Sequence, residues 1–397
     1  MAKYAILVGD GMADFPVPEL GGKTPLEYAN TPAMDTAART GRVGLVKTIP
    51  DGLAPGSDVA NMSLMGYDPA RYYSGRAPIE AASMGISLSA SDIAFRCNLV
   101  TLANGIMDDY SAGHIETMDS HLLISDLQRR LNSPTIRFFP GVSYRHITVV
   151  SGFPATGLFC VPPHDISGKK VSDFLPRGAD QEIIRGLMKG AHDVLSSSPC
   201  NKRRISEGKK PATDIWLWGQ GKALKLPTMR ERFSLSGSVV SAVDLVRGIG
   251  VLAGLNVRIV DGATGYLGTN YAGKISAAHE ALRSEDFVFV HVEAPDETSH
   301  EGSVEKKIQA IEEFDKNIVA EMLVMLKEFK DLRILVLPDH ATPLAMKTHH
   351  AMPVPFVVCG DRVDPDGGLS YCEKAAQGKR THTGESLFET FIRGTFA

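Results

Sequence analysis

The sequence predicts an α/β fold built on a mostly parallel β-sheet with helices on both faces. Short apolar runs alternate with segments of helical periodicity along most of the 397 residues. This alternation is typical of parallel sheets whose strands are connected by helices. Three of the apolar runs are also followed by acidic residues. These lie at the carboxyl ends of predicted strands, where open α/β sheets bind their ligands. A chain of this length accommodates one large domain or two.

These patterns predict eight strands and seven helices. The predicted strands are 4–8, 98–102, 146–151, 214–219, 257–260, 287–292, 333–338 and 355–360. The predicted helices lie at about 25–40, 58–66, 119–131, 181–196, 238–254, 273–283 and 303–328. The last helix is the clearest, because Ser303 stands at its start as a capping residue and its apolar residues form one stripe. That stripe consists of Ile308, Ile311, Ile318, Met322 and Met325.

The middle of the chain differs from both ends and predicts a second domain inserted into the first. It has its own strands, two proline-containing turns and a basic stretch at 201–210 that we expect to be a solvated loop. We therefore predict a discontinuous domain of residues 1–90 and 235–397, with an inserted smaller α/β (α+β) domain at 91–234.

Composition and charge exclude several classes of partner. The formal net charge is −4, from 42 basic and 46 acidic residues, so no basic excess is available for nucleic acid. The apolar run at the N-terminus is too short for a signal peptide or a membrane span, so we expect no membrane partner. Five scattered cysteines without a CxxC pair indicate neither a disulfide framework nor a zinc knuckle, and a cytoplasmic location is expected.

The acidic residues that follow three apolar runs predict a metal site. The run 4–8 is followed by Asp10, "FVFVHV" by Asp296 and His300, and "RILVLP" by Asp339 and His340. Residues four apart lie on one face of a helical turn, so one ion can contact both side chains of the second pair. Each acid alone is more often a helix cap, but together they indicate two divalent ions, with mixed ligands that favour manganese, zinc or cobalt.

A candidate nucleophile, Ser57, lies in "PGSDVANMSLMGYDP" at the start of a predicted helix. Backbone N–H groups at a helix N-terminus stabilise anions such as phosphate, and metal coordination would activate the hydroxyl. The alternative is that Ser57 caps the helix. His349 or His350 could complete the metal site, with His382 as a rival ligand.

The chain resembles the cofactor-independent (2,3-bisphosphoglycerate-independent) phosphoglycerate mutases, in the archaeal-type branch of the alkaline phosphatase superfamily. The resemblance covers nearly the whole chain. It rests on motifs that include "ILVGDGMAD", "PGSDVANMSLMGYDP", "RAPIEAASMG", "AFRCNLVTL", "EAPDETSHEG", "LPDHATP" and "THHAMPVPF". It implies an alkaline-phosphatase-like α/β domain and a second domain that supplies substrate-binding arginines.

The resemblance also implies roles for individual residues. Ser57 would become transiently phosphorylated while 2- and 3-phosphoglycerate are interconverted. Two manganese ions would be expected, with Mg²⁺, Zn²⁺ or Co²⁺ as alternatives. One ion would bind Asp10, Ser57, Asp339 and His340, and the other Asp296, His300 and His349, which the family pattern favours over His350.

The basic residues in the matching motifs are then candidates for substrate binding, since an arginine fork binds phosphate or carboxylate. They are Arg76, Arg96, Arg145, His146 and Arg247. One alternative function keeps the metal site but acts on another small phosphate ester, as a homoserine kinase-like phosphotransferase or a phosphatase. A more remote alternative is an inactive binding protein on the same scaffold.

Overall fold

The computed structural model describes residues 2–153 and 157–396. The chain forms two compact units, the first of Met1–Tyr73 and Lys225–Ala397 and the second of Ser74–Leu224. These bounds differ from the predicted limits of 91 and 234. The helix Arg76–Ser83 belongs to the second unit because it packs on three of that unit's strands. Residues from 225 onward belong to the first unit, where the Tyr67 hydroxyl donates to the Pro227 carbonyl at 2.8 Å.

The described residues form thirteen strands and sixteen α-helices. The strands are β1 (Lys3–Gly9), β2 (Arg42–Lys47), β3 (Asp92–Ala103), β4 (Ile106–Asp109), β5 (Ile136–Phe139), β6 (Arg145–Ser151), β7 (Asp214–Lys222), β8 (Gly237–Val240), β9 (Asn256–Arg258), β10 (Phe287–Val292), β11 (Leu332–Leu337), β12 (Val354–Gly360) and β13 (Thr381–Thr383). The helices are α1 (Pro25–Tyr28), α2 (Pro32–Thr40), α3 (Ser57–Leu64), α4 (Pro69–Tyr72), α5 (Arg76–Ser83), α6 (Thr117–Leu131), α7 (Gln181–Ser197), α8 (Pro199–Ser206), α9 (Met229–Phe233), α10 (Asp244–Leu252), α11 (Tyr271–Ser284), α12 (Ala294–Glu301), α13 (Val304–Phe314), α14 (Ala320–Met325), α15 (Glu373–Ala376) and α16 (Gly384–Arg393).

The first unit is built on an eight-stranded sheet with the order β13-β2-β12-β11-β1-β10-β8-β9. Only β12 runs against its neighbours, so the sheet is mostly parallel, as predicted. Both faces are buried. Ala5 and Leu7 of β1 face a core shared with α2, α11, α13 and α14, whereas Ile6 and Val8 are buried on the opposite face. Strands buried on both faces read as continuous apolar runs, which made this sheet recognisable in the sequence.

Some predicted helices of the first unit differ from the structure. The prediction of one helix over 238–254 was wrong in its first residues, because Gly237–Val240 is strand β8, parallel to β10. The predicted helix at 25–40 is instead two helices, α1 and α2. Pro32 is the first residue of α2, a position where its fixed φ favours the start of a helix. The predicted helix at 303–328 contains a π-helical turn at Asp315–Val319 between α13 and α14. Ser303 caps it as predicted, with its side chain accepting from the Lys306 N–H.

The second unit has a five-stranded sheet in which β3 pairs antiparallel with β4, β6 and β7, and β6 pairs with β5. Its core lies between this sheet and the helices α6 and α7. The basic stretch at 201–210 was expected to be a solvated loop, but its first half belongs to α8. Arg204 of this helix is buried, and its Nη1 lies 2.8 Å from the Asp119 carboxylate. This charge therefore forms an ion pair inside the second unit.

Candidate active site

Three neighbouring strands of the first unit bring acidic side chains to one edge of the sheet. The strands β11, β1 and β10 are adjacent and parallel, so their carboxyl ends lie together. Asp10 follows β1, Asp339 follows β11, and Asp296 lies on α12 directly after β10. All three carboxylates are buried, with 1%, 0% and 5% of the residue surface exposed, respectively. The sequence pattern predicted this meeting of strand ends.

The first cluster consists of Asp10, Asp339 and His340, whose ligand atoms all lie within 4.8 Å of one another. The Nε2 atom of His340 is 3.4 Å from Oδ1 of Asp10 and 3.5 Å from Oδ2 of Asp339. Ser57 joins this cluster, since its Oγ lies 3.1 Å from Nε2 of His340. Ser57 is the first residue of α3 and does not cap the helix, because the capping position is Gly56, without a side-chain hydrogen bond. Its hydroxyl is therefore directed to the cluster.

The second cluster consists of Asp296, His300 and His349. The Nε2 atoms of the two histidines lie 3.1 Å and 3.6 Å from the Asp296 carboxylate oxygens and 3.1 Å from each other. The ring of His349 also lies 4.2 Å from that of His340, measured between centroids, so the two clusters adjoin.

The two rival histidines lie outside these clusters. His350 packs its ring against Phe15, and its Nδ1 accepts from the backbone N–H of Met352. His382 lies on β13 with its ring against Phe356. Among the three histidines considered for this position, the structure brings His349 to Asp296.

The charges of the two clusters fit a divalent cation. Burial raises the pKa of Asp10 well above its ordinary value, and the charges of Asp339 and Asp296 raise it further. Its Oδ1 atom is buried and accepts no hydrogen bond among the described residues. Burial alone would lower the pKa of His300, but the hydrogen bond to Asp296, the Asp296 charge, the Lys347 carbonyl and Glu297 together outweigh it and raise the pKa to about 9. Three buried carboxylates that repel one another are the donor set that a cation would stabilise.

Several supporting residues were missed by the sequence analysis. Asn61 donates from Nδ2 to the Asp339 carboxylate at 2.7 Å and to the Ser57 carbonyl at 2.9 Å. Thr342 donates to the Asp296 carboxylate. The spacing of four between Ser57 and Asn61 was a usable signal, because such residues share one face of a helix. Each contact fixes the orientation of a cluster residue.

The second unit holds a separate cluster of arginines. The Nε atoms of Arg76 and Arg96 lie 2.7 Å and 2.9 Å from the two oxygens of Glu80. Burial would raise the pKa of Glu80, but the charges of Arg96, Arg76 and Arg145 together lower it. The Arg96 guanidinium also lies 4.3 Å from the centre of the Trp218 ring. Three positive charges near one carboxylate leave this face of the sheet able to bind an anion.

His146 does not belong to the arginine cluster, although the sequence placed it among the substrate-binding candidates. In the pairing of β3 with β6, Asn98 lies opposite Arg145 and Cys97 lies opposite His146. Successive side chains of a strand point to opposite faces, so Arg145 shares a face with Arg96 and His146 does not. The His146 ring is buried, which lowers its pKa to about 3, and its Nδ1 accepts from the backbone N–H of Gly141.

Arg247, the remaining candidate, lies on α10 of the first unit. Its Nε donates to the Ser241 carbonyl at 2.8 Å, and its Nη1 lies 3.4 Å from the Asp244 carboxylate. These local contacts anchor the start of α10.

Comparison with known proteins gives one consistent family. Residues 38–201 match the family model described as 2,3-bisphosphoglycerate-independent phosphoglycerate mutase. A phosphoglycerate mutase of this name from Methanosarcina acetivorans is 55% identical over 377 residues, which cover 94% of this chain and 95% of the relative. A probable one from Geobacter sulfurreducens is 51% identical over 380 residues, which cover 94% of this chain and 95% of the relative.

Two solved structures share the fold over nearly their whole length. One is a protein of Pyrococcus horikoshii, with a TM-score of 0.80 and 29% identity, covering 100% of this chain and 98% of the other. The other is a cofactor-independent phosphoglycerate mutase of Thermoplasma acidophilum, with a TM-score of 0.67 and 27% identity, covering 99% of both chains. On these similarities in sequence and fold, the chain belongs to the enzyme family of 2,3-bisphosphoglycerate-independent phosphoglycerate mutases.

Proposed function

We propose that this enzyme interconverts 2- and 3-phosphoglycerate through a phosphoserine at Ser57, with the help of two divalent ions. The observation that carries the proposal is the position of the Ser57 hydroxyl, 3.1 Å from Nε2 of His340 and beside two buried clusters of aspartates and histidines. The high identity to relatives named as phosphoglycerate mutases supports the choice of substrate.

The metal ligands follow from the two clusters. Asp10, Ser57, Asp339 and His340 would hold one ion, and Asp296, His300 and His349 the other. Mixed carboxylate and imidazole donors favour Mn²⁺, Zn²⁺ or Co²⁺ over Mg²⁺, and of these we expect Mn²⁺. When bound, such ions lower the pKa of a coordinated hydroxyl and neutralise charge on phosphoryl oxygens.

Ser57 is the nucleophile of the proposed reaction. Its Oγ loses the hydroxyl proton and forms a bond to phosphorus while the bond from phosphorus to the substrate oxygen breaks, and that leaving oxygen takes up a proton. In the second half, the other glycerate hydroxyl loses its proton and attacks the phosphoserine, the bond from phosphorus to Oγ breaks, and Oγ takes up a proton to restore the free serine. Ser57 is the first residue of α3, where unpaired backbone N–H groups stabilise the phosphoryl oxygens. Asn61 holds the serine carbonyl and the Asp339 carboxylate in place during both halves.

The arginine cluster of the second unit is assigned to substrate binding. Arg76 and Arg96 bind the Glu80 carboxylate, and the charges of Arg96, Arg76 and Arg145 all act on it. A planar guanidinium binds a carboxylate or a phosphate bidentately, and phosphoglycerate carries both groups. Arg145 is the best placed for this role because it is exposed, whereas Arg96 is nearly buried.

A coupled assay tests the proposal. Chelator-stripped protein is given 3-phosphoglycerate without bisphosphoglycerate, with and without added Mn²⁺, and formation of 2-phosphoglycerate is followed. We expect turnover only with the metal. If metal binds but phosphoglycerate does not turn over, the mutase assignment is overturned. Homoserine and other small phosphate acceptors, and hydrolysis of a generic phosphate ester, are then tested on the same protein.

A further inference from the structure

We propose that His291 is a positioning residue that orients Asp10, so that one carboxylate oxygen stays free to bind a cation. The inference rests on the proposed metal-dependent function. His291 is the single polar side chain in the apolar run "FVFVHV" of β10, and its residue surface is 0% exposed. A histidine in such a run is commonly a packed core residue, but its contacts here lead to the active site.

The His291 ring is fixed at both of its nitrogen atoms. Its Nε2 lies 3.0 Å from Oδ2 of Asp10, and its Nδ1 lies 3.3 Å from Oγ of Ser241. The Ser241 hydroxyl oxygen accepts from the backbone N–H of Val243 at 3.0 Å. The hydroxyl proton of Ser241 is therefore available for His291.

These contacts determine which ring nitrogen carries the hydrogen when Asp10 is ionised. An ionised carboxylate is an acceptor only, so His291 must donate to Asp10 from Nε2. A neutral imidazole then has an acceptor at Nδ1, and the Ser241 hydroxyl satisfies it. Because each of these buried polar groups has a hydrogen-bond partner in this arrangement, the His291 ring is held in one orientation. The contacts thus form a chain from the Val243 N–H through Ser241 to His291. At its end, His291 donates to a single oxygen of Asp10.

The backbone around His291 is fixed as well. The Nζ of Lys274, which is 1% exposed, donates to the His291 carbonyl at 2.9 Å. The N–H of Asp10 donates to the carbonyl of Val292, the next residue of β10, at 2.9 Å. Lys274 and Asp10 therefore both bind backbone carbonyls at the end of β10, and these bonds fix the backbone of His291 and that of Asp10 relative to each other.

The two oxygens of Asp10 are consequently unequal. Oδ2 accepts from His291, whereas Oδ1 is buried without a hydrogen bond among the described residues and lies 3.4 Å from Nε2 of His340. A ligand carboxylate that is hydrogen-bonded through one oxygen presents the other in a fixed direction. Loss of such an outer contact typically lowers metal affinity roughly 10- to 100-fold.

The experiment compares His291→Leu, which removes the donor and keeps an apolar residue in the strand, with His291→Gln, which keeps a donor. Binding of Mn²⁺ to chelator-stripped full-length protein is measured by calorimetry. For the unsubstituted protein we expect two ions. His291→Leu should weaken one of the two by roughly 10- to 100-fold, and leave the other unchanged. His291→Gln should recover most of the loss, which a purely structural role of the ring would not explain.

A second variant guards against failure of the first to fold. Ser241→Ala removes the hydroxyl that fixes the ring and should weaken the same ion by a smaller factor, with thermal unfolding of the metal-free protein as the control. The inference is overturned if His291→Leu binds both ions as the unsubstituted protein does, or if His291→Gln binds as weakly as His291→Leu. If the unsubstituted protein binds no Mn²⁺, the proposed function itself fails, which separates the two failures.

Discussion

The two units of this enzyme carry clusters of opposite charge. In the first unit, the carboxylates Asp10, Asp296 and Asp339 are buried together at the ends of parallel strands. In the second unit, Arg76 and Arg96 share the carboxylate of Glu80 on one face of an antiparallel sheet. The buried carboxylates suit a cation, and the arginine side chains suit an anion.

The clusters also differ in how rigidly they are held. The three buried aspartates of the first unit each receive a hydrogen bond, Asp339 from Asn61, Asp296 from Thr342 and Asp10 from His291, at the end of a sheet buried on both faces. Arg145 is exposed and contacts the Tyr144 ring at 5.3 Å. In the proposed mechanism, a rigid site would suit the aligned displacement at phosphorus, and an exposed arginine would suit a substrate that turns between the two half-reactions.

The largest expected effect is that of Ser57→Ala. Removal of the nucleophile abolishes the phosphoserine route, so mutase activity should fall roughly 10³-fold or more. The coupled assay measures the loss. Ser284→Ala, at an exposed position on α11, is the matched control and should keep full activity. A Ser57→Ala protein with near-normal turnover would refute the first cluster as the reactive one.

The next effect distinguishes two adjacent histidines. His349→Ala removes a proposed ligand and should weaken one Mn²⁺ by at least the roughly 10- to 100-fold typical of outer contacts. His350→Ala should leave both ions bound with little change, because His350 faces Phe15. Calorimetry on stripped protein measures both variants. The reverse result, with His350 as the more sensitive position, would show that the second cluster is wrongly assigned.

A smaller effect is expected in the second unit. Arg145→Met removes a charged donor and should raise the KM for phosphoglycerate about 10- to 100-fold, the range expected for hydrogen bonds to charged groups. The adjacent residue provides the control, since His146 lies on the other face of the sheet. His146→Gln should leave KM close to normal. Equal effects of the two substitutions would argue against an anion site on the face of Arg96.

The last effect is smallest for a single pH step, and it is a graded dependence of metal affinity on pH. In the metal-free protein the pKa of His300 is raised to about 9 by Asp296, so below that pH the histidine is protonated. A bound ion must displace this proton, and affinity should therefore fall by about tenfold for each pH unit below 9 while one proton is released. Calorimetric titrations between about pH 8 and about pH 5.5 measure the slope. A flat profile would exclude histidine ligation.

The sequence was most informative where side chains are buried on both faces of a sheet. The strands β1, β10, β11 and β12 are continuous apolar runs and were predicted in position. Strand β8 was assigned to a helix, because "GSVVSAVDLVRGIG" continues into the amphipathic pattern of α10 without a break. The end of the predicted inserted domain was misplaced for a related reason. Local composition does not reveal that the segment after 225 packs on the first unit.

The candidate site was predictable in part for the same physical reason. Asp10, Asp296 and Asp339 each follow an apolar run, and the carboxyl ends of parallel strands meet at one edge of a sheet, so the sequence pattern alone predicts that they lie together. His291 and Thr342 were missed because a buried hydrogen bond between residues far apart in the sequence leaves no local pattern. His146 was misjudged because its face depends on the register of β6 against β3, which the sequence does not display.

Mass spectrometry of the enzyme quenched in acid during turnover tests the role of Ser57 most directly. Protein supplied with Mn²⁺ and 3-phosphoglycerate is digested, and the peptide that contains Ser57 is sequenced in the spectrometer. We expect one phosphoryl group on Ser57, present only with metal and absent from Ser57→Ala. Turnover in the same sample without a phosphoryl group on Ser57, or with one on another residue, would contradict the proposed mechanism.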